Sequence, residues 1–294
     1  MNGVEKAETA LRDLPALGLH TSVLDMSRFI QMVFANGRSG DQQVLQPATL
    51  AAMLRPQNAA VELDQGFHVG LGWLLSGFGP FDIQGAGAVA HHAGATLLFR
   101  SQLIILPAQK LGVVVLANSA SAHKVVKTVA TETLKLALAA KTGIKQPEQN
   151  IPADSPNGLP PTALQSYEGH YATTLGLVTI KNKSGSLRAE ALHRTWRLVP
   201  RLDGLLRVQY KLLGLISIHL GDLDHIGLSR TTLAGRELLI AHQGTQAVLI
   251  GEKITPTPVS GVWQQRVGAY AIVNSHIPHT AIRPTHIHRS SVTR

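Results

Sequence analysis

The chain has 294 residues, 44% hydrophobic and 15% charged, which is long enough for two cores of ordinary size. Its formal charge of +9 is uneven: residues 1–150 hold 12 Lys+Arg against 10 Asp+Glu, and residues 151–294 hold 15 against 8. The cations are scattered singly, without a basic run or a row of aromatics, which argues against a nucleic-acid-binding protein; the absence of cysteine excludes disulfides and thiolate metal sites.

No stretch approaches the ~20 apolar residues that cross a bilayer as a helix, because Arg, Lys, Gly and Pro interrupt every candidate. Met1–Arg12 is polar and of mixed charge, unlike a secretory leader. Residues 24–36, LDMSRFIQMVFAN, set Leu24, Phe29, Ile30, Met32, Val33 and Phe34 mainly on one side at helical spacing, with Thr21 and Ser22 as cap candidates and Gly37 behind. A second helix is expected over 47–54, PATLAAML, with Pro47 in its first turn, Arg55-Pro56 ending it, and Leu50, Met53 and Leu54 facing inward.

From Val69 to Ser119 the texture is that of strands: VGLGWLL, HHAGATLLF, SQLIILP and LGVVVLANS. The unalternating run Leu111–Leu116 predicts a central strand covered on both faces. A helix follows near 121–140, with Ser119 or Ser121 as its cap and Gly143 past its end. Together these make an α/β layered domain, an antiparallel sheet flanked by helices, over residues 1–143. Residues 144–163 carry five prolines and little that builds a core, so they read as a linker. Beyond them come short β segments (YEGHYAT, LVTIKN, SLRAEA, RTWRLVP, LLRVQYK, SIHLG, HIGLSR, ELLIAHQ, AVLIGE and VGAYAIVN) separated by turns, the pattern of an all-β barrel or sandwich over 164–275. Residues 276–294, with no apolar period and four histidines, are expected to be a disordered tail.

Three blocks taken in order, ALGLHTSVLDMSRFIQM, VGLGWLL and HHAGATLLFRSQLIILPAQKLGVVVLANS, resemble the C-terminal half of the penicillin-binding-protein-like, β-lactamase-related serine hydrolases, a group that includes class C β-lactamases, esterases and D-aminopeptidases. The resemblance covers roughly residues 14–140. That family pairs a Ser-x-x-Lys nucleophile with a Tyr-x-Asn loop and a Lys-Thr-Gly or His-x-Gly cleft strand. Here the third motif stands in its expected place as His92-Ala93-Gly94, followed by Ala95 and Thr96. The resemblance implies that His92 contacts substrate or assists proton transfer, that Gly94 and Thr96 line the substrate site, and that the Ala95 N–H serves as an oxyanion donor. Where the family often continues with Pro-Gly-Phe, this chain reads Leu97-Leu98-Phe99, which puts the cleft shape in question.

Ser121-Ala122-His123-Lys124 spells Ser-x-x-Lys, but it follows the cleft strands, at the start of a helix, where capping explains it better. Lys141-Thr142-Gly143 spells the other third motif at a helix end, where a C-cap glycine explains it. No Tyr-x-Asn occurs, and all four tyrosines lie at or beyond Tyr167. The expectation is therefore a truncated hydrolase domain, inactive alone, whose nucleophile lies on a complementary N-terminal piece and whose sheet has an exposed apolar edge. The alternative is a non-catalytic ligand-binding or regulatory protein. The β segment resembles the lipocalin-like barrels that follow some of these hydrolases, through LQSYEGHYATTLGLVTIKNKSGSLRAE and WRLVPRLDGLLRV. The expected partner is a small-molecule or peptide substrate. No cofactor is implied, and the histidines show no metal-ligand spacing. The compartment stays open.

Overall fold

The computed structural model describes residues 17–75, 81–148, 150–212, 216–218, 224–244, 246–266 and 268. The chain divides into two compact units, Met1–His20 with Pro256–Arg294, and Thr21–Thr255. The described part of the first unit includes one turn of helix at Gly261–Gln264, where the Arg266 guanidinium lies 4.7 Å from the centre of the Trp263 ring. The expected strand over 267–274 lies outside the described residues apart from Gly268, and the 276–294 tail lies wholly outside them.

The second unit opens with helix α1 (Val23–Phe34), which starts where sequence chemistry puts it: Ser22 is the N-cap and its side chain accepts from the Asp25 N–H. Its end is closed by the Gly37 N–H donating to the Met32 carbonyl, 2.9 Å. Ile30, Met32 and Val33 are buried, whereas Leu24, expected on the same face, is exposed. The first turn of α1 thus projects beyond the layer it covers. A two-residue ribbon, β1 (Arg38–Ser39) with β2 (Gln42–Gln43), leads to α2 (Pro47–Met53), with Pro47 in its first turn and Leu50 buried.

Three antiparallel strands, β3 (Ala90–Ala95), β4 (Arg100–Leu106) and β5 (Leu111–Ala117), form a sheet in the order β3-β4-β5. Side chains alternate across it. Ile105 packs with Ile30, Val33 and Trp73 on the α1 side. Ile104 and Leu106 pack with Ala130, Leu134 and Leu138 of α3 (His123–Thr142) on the other. β4 is thus covered on both faces, and so is β5, as expected: Val113 and Val115 pack on the α3 side and Val114 on the α1 side. β5, expected to be central, is an edge strand among the described residues, with Leu116 exposed. VGLGWLL is likewise not a strand: the chain turns back at 70–73, leaving single bridges from Val69 to Leu74 and from Leu74 to His91. α3 begins without a side-chain cap, since Ser119 Oγ hydrogen-bonds Ser121 Oγ at 3.0 Å instead. It ends at Gly143, in the left-handed region at φ 78°.

The proline-rich segment is tied to its neighbours: Gln146 exchanges hydrogen bonds with the backbone of Gln84, and Ser155 N–H donates to the Pro200 carbonyl. Short helix α4 (Pro161–Tyr167) then leads into β6 (Gly169–Thr173), β7 (Gly176–Lys183), β8 (Ser186–Ala191), β9 (Arg194–Pro200), β10 (Leu206–Leu212), β11 (Ile216–Ile218), β12 (Gly227–Leu233), β13 (Arg236–Gln243) and β14 (Gln246–Ile254). All but β11 join neighbour to neighbour, and β14 pairs β6, so that eight antiparallel strands close into an up-and-down barrel with β11 as a side strand on β10. Its interior is filled. Tyr171, Ile180, Leu187, Leu198, Leu206 and Leu239 pack together with Leu164 and Tyr167 of α4. Arg230 pairs with Glu237, which also takes Lys253 at 3.3 Å, and Lys253 donates to the Ser166 carbonyl of α4.

Candidate functional site

Of the residues singled out by sequence, His92, Gly94 and Ala95 fall on β3 and Thr96 just past its end. Ala90 and His91 are buried, and His92, Ala93, Gly94 and Ala95 are exposed. His92 lies opposite Leu103, Gly94 opposite Ser101 and Ala95 opposite Arg100. Cross-strand partners share a face, so His92 and Gly94 stand on the α1 side of the sheet with Ala90 and Ile105.

The backbone sorts itself by the same alternation. His91 exchanges hydrogen bonds with Leu74, 2.8 and 2.9 Å, on the edge of β3 away from β4. In an antiparallel ladder, alternate residues direct their N–H and C=O groups to the same side, so Ala93 and Ala95 point theirs to that outer edge. Past the Leu74 bridge no strand pairs them among the described residues. Among the described residues, the outer edge from Ala93 to Ala95 is thus a row of directed amide groups without a strand partner. Thr96 does not line it with its hydroxyl: its Oγ1 accepts from Leu98 and Phe99 N–H, and Arg100 donates to the Thr96 and Phe99 carbonyls, which folds Leu97 and Leu98 into the hairpin turn.

Two residues that sequence reading passed over shape this strand. Gln102, buried on β4, donates to the His92 carbonyl at 3.2 Å and to the Leu103 carbonyl at 3.1 Å, holding the backbone of β3 in place. Ser101 lies against Gly94, where a Cβ on Gly94 would overlap the Ser101 hydroxyl oxygen but sit 3.6 Å from Ser101 Cβ. The neighbouring strand therefore favours glycine here independently of any substrate. Gly94→Ala is expected to cost about 1–2 kcal/mol by displacing Ser101. Adding Ser101→Ala should return most of that loss, measured as the urea midpoints of the two single variants and the double variant.

The two other motif look-alikes are structural. Ser121 Oγ meets Ser119 Oγ and makes no hydrogen bond to Lys124 among the described residues, so no amine is placed to take its proton. Lys141 Nζ donates to the Gln109 carbonyl at 2.7 Å and Thr142 Oγ1 to the Leu138 carbonyl, leaving Gly143 to end the helix. No group of three or more His, Asp or Glu suited to a metal ion occurs among the described residues. A separate polar cavity of about 310 Å³ is lined by Asp82, Lys135, Arg201, Asp203, His225 and Gln243 among others, and by none of the β3 residues.

No curated protein matches the chain. Among solved structures it is similar to SurE crystallised with D-Leu (TM-score 0.49, 19% identity, covering 78% of this chain and 49% of that one) and to SurE alone (TM-score 0.46, 21% identity, 78% and 48%). It is also similar to the octameric penicillin-binding protein homologue from Pyrococcus abyssi (TM-score 0.34, 20% identity, 79% and 45%). The chain thus spans about half the length of these three solved proteins. The Beta-lactamase family model matches residues 2–138.

Proposed function

We propose that the chain supplies one wall of the cleft of a penicillin-binding-protein-like serine hydrolase acting on amide or ester bonds of peptides, β-lactams or small esters. The observation that carries this reading is the outer edge of β3, where an amide row at Ala93 and Ala95, without a strand partner among the described residues, stands beside the exposed His92 and Gly94. An amide fixed in a strand donates to a developing oxyanion without having to reorganise. His92 is the polar group available to a substrate or to a proton in transit, and Gly94 keeps the wall flat. The chemistry also needs a nucleophile with an adjacent base, and the only Ser-x-x-Lys in the chain, at Ser121, has no such base. Acyl transfer accordingly requires a Ser-x-x-Lys segment from outside these 294 residues, and the chain alone is inactive. The barrel is of the lipocalin-like kind in strand order, but its packed interior argues against the rival reading of a ligand carrier.

Intact mass after incubation with a fluorophosphonate and, separately, with a penicillin tests this. No adduct is expected on the chain alone. An adduct mapped to Ser121 would overturn the reading and make that serine the active centre.

A further inference from the structure

The barrel carries a second surface that hydrolysis does not use. On β7, Val178 and Ile180 pack into the core, so Leu177, Thr179, Lys181 and Lys183 alternate outward. On β8 Leu187 and Ala189 point inward and Arg188 and Glu190 outward; on β9 Trp196 and Leu198 point inward and Arg197 outward. The registers put Lys181 opposite Arg188, and Arg188 opposite Arg197, so three cations stand in one row across neighbouring strands. Like charges in directly opposed positions are unfavourable. Glu190 bonds Lys181 at 2.7 Å, but neither Arg188 nor Arg197 has an ion pair among the described residues.

At one end of the same strands lie exposed leucines, Leu175 and Leu192 in turns that normally carry polar residues and Leu177 beside them on β7. Leu175 is 66% exposed, Leu177 53% and Leu192 57%. Continuing the β7–β8 register past its last pair brings Leu177 level with Leu192. Leu192 is also strained. The β8–β9 turn has consecutive left-handed residues, Leu192 at φ 51° and His193 at φ 58°. The β7–β8 and β12–β13 turns have the same geometry but place glycine second, at Gly185 and Gly235. A bulky residue in the left-handed region, exposed to water, loses on both counts.

We propose that this end of the barrel docks on an anionic lipid surface, with Leu175, Leu177 and Leu192 entering the headgroup region and Lys181, Arg188 and Arg197 meeting the lipid phosphates. The spacing fits: Lys181 follows Leu177 by four residues, roughly 13 Å along the strand, and long basic side chains reach back along such a wall. Separate leucines at one end of the strands, with the cations on a convex wall behind them, suit a fluid interface rather than a groove-binding peptide. The exposed outward positions on these strands offer no aromatic for stacking on bases. No described helix is long and apolar enough to cross a membrane.

The test is sedimentation of the full chain with vesicles of phosphatidylcholine alone or of equal parts phosphatidylcholine and phosphatidylglycerol. The mixed vesicles should bind about 100-fold more tightly, in line with a contribution from each of several cations near the surface. Arg188→Glu with Arg197→Glu should remove most of that preference. Leu175→Asn with Leu192→Asn should weaken binding to the mixed vesicles about tenfold or more while leaving the melting temperature unchanged or raised, because asparagine tolerates the left-handed conformation. Failure to bind the mixed vesicles would overturn the proposal. So would leucine variants that bind like the parent, or capture by single-stranded DNA in place of vesicles.

Discussion

Tyr171→Ala is expected to cost the barrel about 3–5 kcal/mol, the largest loss of any single truncation in this half of the chain. The ring is fully buried on β6 among Ile180, Leu187 and Leu239, and its hydroxyl donates to the Tyr167 carbonyl at 2.9 Å, joining the end of α4 to the wall it plugs. Tyr171→Phe keeps the ring and removes only that hydrogen bond, for about 1 kcal/mol. Urea unfolding followed by fluorescence separates the two variants. Burial pushes the Tyr171 phenol up to about 12, helped by the Glu237 carboxylate, and also raises Tyr167. A phenol harder to ionise in the folded state stabilises fully below its unfolded value near 10, and that contribution disappears as pH rises through the folded value. The barrel should therefore lose stability between about pH 10 and 12, and Tyr171→Phe should flatten that limb of the profile.

How much of this was legible beforehand depends on the range of the interaction that decides each feature. Ser22, Pro47 and Gly143 act within a turn of their own helices, and each does what local chemistry predicts. Leu103–Leu106 and Leu111–Leu116 are both unbroken apolar runs, so periodicity cannot say which is central. That is decided by β4 taking partners on both sides while β5 takes one among the described residues. The family blocks led to His92, Gly94 and Ala95, but Ser101 and Gln102 were passed over because cross-strand register is not written in either strand alone. The barrel was readable as a series of strands. Its closure was legible only through the resemblance to lipocalin-like barrels, because the β14–β6 pair joins segments far apart in sequence. Leu192 was invisible for another reason: a leucine in a turn reads as ordinary until the backbone shows the left-handed conformation it occupies.

Asp203→Ala should be the costliest polar change, about 3 kcal/mol, near the lower end for breaking a buried ion pair because Asp203 is itself partly open to water. The Arg201 side chain is only 5% exposed against 32% for Asp203, and its Nε and Nη2 both donate to that carboxylate while Nη1 is buried without a partner among the described residues. Without Asp203 the guanidinium would have no counter-charge in direct contact. Arg201→Met with Asp203→Ala removes the buried charge as well and should recover part of the loss, which makes the pair a test of desolvation rather than of packing. Burial works against ionisation of Asp203, but the Arg201 hydrogen bonds and the Leu205 N–H outweigh it and hold the carboxyl below its ordinary value. A depressed carboxylate stabilises fully above its unfolded value near 4 and loses that contribution as pH falls through the folded value. The parent should therefore lose stability below about pH 4 more steeply than the double variant. Equal acid limbs in the two proteins would show that Arg201 does not depend on this partner.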